Sequence, residues 1–134
     1  MDGSYKRGGN NKQLNVLGGD LESCRSSKDT NEIVTGFYRD NCCNTGPDDF
    51  GLHTVCCIMT KSFLTFSKSV GNDLSTPIPE YNFKGLSEGD HWCLCASRWQ
   101  EAFEAGKAPK VILKSTNMAT ISVVKLEDLK KYSA

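Results

Sequence analysis

Seven cysteines are the most reactive residues of this 134-residue sequence, and their spacing limits the chemistry that they could do. They stand at positions 24, 42, 43, 56, 57, 93 and 95. Their number is odd and the first residues lack the apolar stretch of a secretion signal, so we expect no secreted disulfide framework. Three alternatives stay open: buried thiols that pack as small apolar side chains, metal ligands, and a reactive thiol.

Zinc is the cofactor that the cysteines suggest if they bind a metal. Structural zinc usually takes its thiolates from CxxC pairs, and the sequence has none. Cys93 and Cys95 are instead two residues apart on a predicted strand, where both side chains point to the same face. The metal hypothesis therefore takes Cys93 and Cys95 as two ligands and adds Cys43 and Cys56 as the others.

Cys95 is also the candidate nucleophile. It lies just before a predicted helix, whose positive end favours a thiolate. His53, on a predicted neighbouring strand, is the candidate base. His53 and Cys56 differ by an odd number, so they point to opposite faces of a regular strand unless a bulge intervenes. The neighbours Cys56 and Cys57 also alternate sides. Whether the protein is an enzyme is left open.

A second group of candidate residues is polar and lies in loops that carry glycine and proline. It consists of Arg39, Asp40, Asn72, Asp73, Ser75, Thr76 and Arg98. Arginine offers a planar double donor to a carboxylate or phosphate, which indicates a site for a small polar or anionic ligand. The alternative is that these residues cap turns and pin the long loop.

The sequence thus supports two functional hypotheses. The first is a non-catalytic module that binds a small ligand or a partner through the loops around Arg39 and Asp40 and over 72–77. The second is a thiol-dependent or zinc-dependent enzyme, or a zinc-stabilised domain. The ligand, the reaction, the pathway and the oligomeric state are not encoded in any motif.

Composition indicates a soluble globular protein. Lys and Arg number 16 against 16 Asp and Glu, and 38% of the residues are hydrophobic. Zero net charge argues against a nucleic-acid or membrane surface, since both need clustered basic residues. Together with the missing secretion signal, this predicts a cytoplasmic protein.

Periodicity and turn residues predict one α+β domain over residues 14–134, behind a disordered tail over residues 1–13. We expect a small mixed sheet of about four or five strands with two or three short helices. Candidate strands cover 14–17, 34–39, 54–59, 92–96, 111–113 and 121–124. Candidate helices cover 61–70, which Thr60 caps, a segment opened by a capping box of Ser97 with Gln100, and 126–132.

Several stretches also carry a family resemblance. They are 15–18 (NVLG), 35–40 (TGFYRD), 43–47 (CNTGP), 53–56 (HTVC), 71–77 (GNDLSTP) and 89–95 (GDHWCLC). From Asn15 to about Tyr132 the chain resembles domain-of-unknown-function family 2237, which implies a small intracellular single-domain protein without an assigned activity. It departs from that pattern at Cys42, Cys57 and His91. The resemblance therefore favours the other five cysteines and His53 as functional residues.

Overall fold

The computed structural model of the protein describes residues 13–25 and 34–134. Within this part of the chain one sheet has three strands: β1, His53–Ile58; β2, His91–Cys95; and β3, Lys110–Val111. The order is β2-β1-β3, and both pairings are antiparallel. The central position of β1 explains its continuous apolar run, because a strand covered on both faces has no solvent-facing side.

One face of the sheet carries the apolar core. Val55, Cys57 and Leu94 belong to this core, together with Trp99 and Phe63. Helix α2, Ala96–Glu104, packs against β1 and β2, and helix α1, Lys61–Ser69, packs against α2. A third helix, α3, Leu126–Lys131, closes the chain. No helix in the described residues is long and apolar enough to cross a membrane.

The opposite face of the sheet is covered by loops. Cys56 and Cys93 are cross-strand partners that belong to a separate buried cluster on this face. The Cys56 N–H donates to the Thr116 hydroxyl at 3.1 Å, and the Cys93 N–H donates to the Thr35 hydroxyl at 2.8 Å. The neighbouring residues Cys56 and Cys57 therefore lie on opposite faces, as predicted.

The α+β class and the three helices are confirmed, but the prediction of four or five strands in a mixed sheet was wrong. Residues 34–39 form turns, because Gly36 and Arg39 have positive φ angles of 98° and 58°, which a strand does not allow. Residues 118–122 form a 3₁₀ helix that Asn117 caps by accepting the Ala119 N–H. Residues 14–17 contribute only isolated bridges through Leu14 and Asn15.

Two helix starts show where local signals succeed and fail. Thr60 caps α1 as predicted, its hydroxyl accepting the Phe63 N–H at 3.1 Å. Helix α2 begins at Ala96 instead of after Ser97, so the predicted capping box was wrong. The Ala96 N–H donates to the Leu52 carbonyl at 2.9 Å, so the pairing of β2 continues up to the helix and leaves no loop for a cap.

Residues 1–12 of the predicted tail, which spans 1–13, lie outside the described residues. Gln13 is described, and its side chain exchanges two hydrogen bonds with the Thr45 backbone.

Candidate functional site

Four cysteines form a buried cluster on the loop-covered face of the sheet. Cys24 is bonded to Cys56 and Cys43 to Cys93, with S–S distances of 2.00 and 2.06 Å. The sulfurs of Cys24, Cys43 and Cys93 lie within 4.8 Å of one another, and those of Cys24 and Cys56 lie within 4.8 Å of a ring nitrogen of His91. The two disulfides are therefore neighbours, and we call these four residues the cysteine cluster.

The disulfides fasten two long loops to the sheet. They join residues 32 and 50 positions apart in sequence. Neither loop, 13–25 or 34–52, contains a helix or an extended strand. Closing a loop of this length in the unfolded chain contributes about 4 kcal/mol of stability per disulfide. The cross-links thus hold segments that regular secondary structure does not.

These bonds overturn the expectation that the chain lacks a disulfide framework. The structure brings together three of the four predicted metal ligands, Cys43, Cys56 and Cys93. Cys24 is their fourth neighbour, whereas Cys95 lies elsewhere, with its sulfur 3.2 Å from the Ser97 hydroxyl. The resemblance kept Cys24 among the candidate functional cysteines, but the predicted metal set left it out, because its contacts join segments far apart in the chain.

The other three cysteines, Cys42, Cys57 and Cys95, keep their thiols. Cys57 is completely buried in the apolar core, and burial raises the pKa of its thiol well above the ordinary value. Cys42 and Cys95 are half-buried. Cys57 is accordingly a core residue, while Cys95 stays within reach of solvent.

Cys95 faces its candidate base across the sheet. His53 and Cys95 are cross-strand partners, and such partners project from the same face. The register is irregular between His53 and Val55. This irregularity supplies the bulge that side chains at 53 and 56 need in order to share a face.

Behind His53 lies a carboxylate that sequence reasoning missed. Asp49 Oδ1 is 2.7 Å from His53 Nδ1, and the Asp49 side chain is fully buried while that of His53 is 40% exposed. Because an ionised carboxylate only accepts hydrogen bonds, Nδ1 of His53 is the donor to it, and Nε2 is an acceptor when the ring is neutral. In the sequence, this pair is indicated by the four-residue spacing of Asp49 and His53. The spacing was overlooked because the segment has a composition typical of turns.

A cavity of about 380 Å³ opens beside Arg39, and we call it the Arg39 cavity. The described residues that line it are Val34, Arg39, Tyr81, Asn82, Phe83, Lys84 and Trp92. The Arg39 guanidinium lies 5.7 Å from the centre of the Trp92 ring, and its Nη1 donates to the Gly36 carbonyl at 2.7 Å. The Phe83 and Trp92 ring centres are 5.5 Å apart. Two cations and three aromatic rings therefore share one cavity.

Of the predicted polar set, Arg39 is the member found among these lining residues. Asp40, next to it, accepts the Cys42 N–H and the Asn44 amide, which shapes the same loop. Arg98 lies on α2 and pairs with Glu101 at 3.2 Å.

Asp73 organises the loop 72–77 through its own carboxylate. Oδ1 accepts the N–H groups of Ser75 and Thr76 and the Ser75 hydroxyl, and Oδ2 accepts the Thr76 hydroxyl at 2.6 Å. These hydrogen bonds lower the pKa of Asp73 to about 2, and the bond from the Thr76 hydroxyl has the largest effect. Asn72 starts the loop, its N–H donating to the Ser67 carbonyl at the end of α1. The arrangement is a capped turn.

The loop 72–77 is also tied to the segment that carries Lys84. The Leu86 N–H donates to the Leu74 carbonyl at 2.8 Å. Gly85 has a φ of +81°, and a Cβ there would lie 2.4 Å from the Ser75 carbonyl oxygen. Glycine at 85 therefore allows the two segments to approach, which holds one wall of the Arg39 cavity.

Fold and site together define a small α+β domain whose sheet is covered by helices on one face and by disulfide-linked loops on the other. Domain-of-unknown-function family 2237, described as an uncharacterised protein conserved in bacteria, matches residues 14–133. The chain belongs to this family, which confirms the resemblance. No curated protein matches the sequence.

Proposed function

We propose that the protein is a binding module for a small anion that carries a flat ring, held in the Arg39 cavity. The observation that carries this proposal is the combination of two cations, Arg39 and Lys84, with three aromatic side chains around about 380 Å³. Ligand cavities commonly measure roughly 300–1,000 Å³ and combine apolar walls with a few convergent polar groups. The Arg39 cavity has both properties.

Arg39 is the residue placed to bind the anionic group. The Trp92 ring and the Gly36 carbonyl fix the position of its guanidinium. The bond to Gly36 uses one of the five N–H donors of an arginine side chain, so a planar pair of donors can serve a carboxylate or phosphate. Lys84 adds a second positive charge to the lining.

The aromatic side chains favour a ligand with a ring. Phe83 and Trp92 meet at an interplanar angle of 59°, and Tyr81 is 79% exposed. A flat group between such rings buries apolar surface and stacks against them, which contributes about 0.5–1.5 kcal/mol beyond the area buried. An inorganic anion alone would have no ring to stack against these aromatic side chains.

Four other residues of the predicted polar set support the walls of the cavity. Asp40 shapes the loop of Arg39, and Asp73 with Ser75 and Thr76 forms the turn packed against Gly85. We assign these residues to positioning the cavity walls.

The test is calorimetry with a panel of aryl phosphates and aryl carboxylates on the wild type and three variants. Arg39→Gln and Lys84→Gln each lower the affinity by about 10-fold or more, because a hydrogen bond to a charged group contributes roughly 1.5–3 kcal/mol. Arg98→Gln is the matched control and leaves the affinity unchanged. Equal affinities in the wild type and Arg39→Gln, with the fold intact by circular dichroism, would refute the proposal.

The arrangement of Cys95, His53 and Asp49 favours a second function, that of a thiol-dependent enzyme. His53 Nε2 would take the proton of the Cys95 thiol, and the thiolate would add to a carbonyl carbon of the substrate, whose C=O π electron pair would move onto the oxygen. Asp49 orients the ring through Nδ1, and Cys95 lies at the N-terminus of α2. The observation behind this candidate is the cross-strand pairing of His53 with Cys95.

Alkylation kinetics test this second candidate. Iodoacetamide should label Cys95 about 10-fold or more slowly in His53→Gln than in the wild type, since a positioned base contributes factors of roughly 10²–10⁴. Mass spectrometry locates the label, and Cys42 in the same chain is the internal control. A Cys95 rate that is the same in both proteins would exclude His53 as its base.

A further inference from the structure

We propose that the protein, once its disulfides are reduced, binds one thiophilic divalent metal ion of the Zn²⁺ type through the cysteine cluster, with Cys24, Cys43, Cys56 and Cys93 as ligands. The observation is that four buried sulfurs from four separate segments meet at one place. This site is distinct from the Arg39 cavity and does not depend on a ligand there.

The spacing of the sulfurs is close to that of a tetrahedral site. Zinc–sulfur bonds of about 2.3 Å place thiolates about 3.8 Å apart in a tetrahedron. The sulfurs of Cys24, Cys43 and Cys93 already lie within 4.8 Å of one another. The Cys56 sulfur is bonded to that of Cys24 and lies outside this group of three. After reduction the bonded pairs separate, and the Cys56 side chain has to rotate towards Cys43 and Cys93.

The ligand backbones are held by contacts other than the disulfides. The Cys24 N–H donates to the Asn41 carbonyl at 2.8 Å. The N–H groups of Cys56 and Cys93 donate to threonine hydroxyls at 3.1 and 2.8 Å. These three hydrogen bonds do not involve the disulfide sulfurs, so reduction leaves their donors and acceptors unchanged. An all-thiolate set also selects zinc over magnesium or calcium, which prefer oxygen ligands.

His91 lies beside the cluster as a positioning residue. Its Nδ1 lies 2.5 Å from the Cys24 carbonyl oxygen, and because a carbonyl only accepts, Nδ1 is the donor. Hydrogen bonds of this kind orient the residues that bind a metal. We therefore assign to His91 the role of positioning Cys24. All four metal ligands are then cysteine sulfurs.

The chemical balance of the conversion is simple. Each disulfide takes two electrons and two protons from a dithiol, which closes to its own disulfide. The four thiols then bind Zn²⁺ as thiolates and release four protons, and the metal does not change its oxidation state. In a reducing cytoplasm, the predicted location, cysteines are kept as thiols, so the metal-bound form would be the one present there.

The experiment compares the oxidised and reduced full-length protein. A phosphine reduces the protein, gel filtration under argon removes it, and Zn²⁺ or Co²⁺ is added. After desalting, elemental analysis should find about one zinc per reduced chain and none retained by the oxidised chain. The Co²⁺ form should show thiolate-to-metal charge-transfer bands together with the visible bands of a tetrahedral ion.

Single serine variants identify the ligands. Cys24→Ser, Cys43→Ser, Cys56→Ser and Cys93→Ser should each weaken zinc binding by about 100-fold or more, because each removes one of the four ligands. Cys42→Ser and Cys95→Ser are matched controls with unchanged affinity. His91→Ala should weaken binding by only about 10-fold, as expected for a residue that orients a ligand.

Three results would overturn the proposal. One is a reduced chain that stays folded and retains no zinc. Another is zinc that is lost in Cys95→Ser but kept in Cys24→Ser, which would assign the site to the set predicted from the sequence. The third applies if the reduced chain unfolds, and it is a failure of that chain to refold when Zn²⁺ is added. Refolding on addition of Zn²⁺ supports the site.

Discussion

The Nδ1 atom of His53 lies 2.7 Å from Oδ1 of Asp49, a carboxylate whose side chain is fully buried. Oδ2 of the same group accepts the backbone N–H of His53 at 2.9 Å and the Thr45 hydroxyl at 3.0 Å. One buried group therefore fixes both the imidazole ring and the start of β1. Asp49 is structural whether or not His53 acts as a base.

Removing this carboxylate should destabilise the fold. Asp49→Ala takes the acceptor away from three donors, and we expect the free energy of unfolding to fall by about 2–3 kcal/mol. Urea unfolding of the oxidised protein measures this change in the free energy of unfolding. Asp48→Ala is the matched control, because Asp48 is exposed and surface changes usually stay within about 0.5 kcal/mol. Equal losses in the two variants would contradict the role given to Asp49.

Gly85 should be far less tolerant of a side chain than Gly71. Both have positive φ, +81° and +91°, but a Cβ at 85 would lie 2.4 Å from the Ser75 carbonyl oxygen and nothing lies within 4 Å at 71. Gly71→Ala should cost about 1–2 kcal/mol for the left-handed backbone. Gly85→Ala should cost more and should also weaken ligand binding in the Arg39 cavity. Thermal unfolding compares them, and similar losses would argue against the close approach.

The three thiols should differ in reactivity. Burial raises the pKa of Cys57, so its thiol stays neutral and enclosed in the folded protein. A thiol reagent at neutral pH should therefore modify Cys42 and Cys95 in the native state and Cys57 only after unfolding. Mass spectrometry of the labelled peptides assigns each site. Labelling of native Cys57 as fast as Cys95 would contradict the packing of the core.

The loop 72–77 should respond to acid at an unusually low pH. The pKa of Asp73 is about 2, lowered from 3.8 mainly by the Thr76 hydroxyl. Because the folded value lies below the unfolded one, the stability from this carboxylate is complete above about pH 4 and is lost as the pH falls towards 2. A carboxyl NMR titration gives the midpoint directly. Thr76→Val should raise it, and an ordinary midpoint in the wild type would disprove the hydrogen-bond network.

Elements with local signals could be predicted from the sequence. Strand β1 was visible in its apolar run, and helix α1 in its Thr60 cap. The segments that failed depend on distant residues. Residues 121–124 have strand composition but follow a turn that Asn117 caps, and α2 starts where the Ala96 N–H meets Leu52.

For the candidate sites too, features with local signals could be predicted and features that depend on distant residues could not. Alternation along the strands separated Cys56 from Cys57, and the prediction of His53 on the adjacent strand gave it as the neighbour of Cys95. The disulfide partners could not be predicted, since they join residues 32 and 50 apart. Lys84 and the three aromatic walls of the Arg39 cavity were missed for the same reason: a cavity is formed by segments that have no common spacing in the sequence.

The most direct test of the proposed function is the indole N–H resonance of Trp92. The chain has two tryptophans, Trp92 in the Arg39 cavity and Trp99 fully buried in the core, so the two indole signals report on different places. Phenyl phosphate, which joins a flat ring to an anion, should shift the Trp92 signal in a saturable way and leave that of Trp99 in place. Arg39→Gln should abolish the shift. No shift at millimolar phenyl phosphate, or the same shift in Arg39→Gln, would contradict binding in the Arg39 cavity.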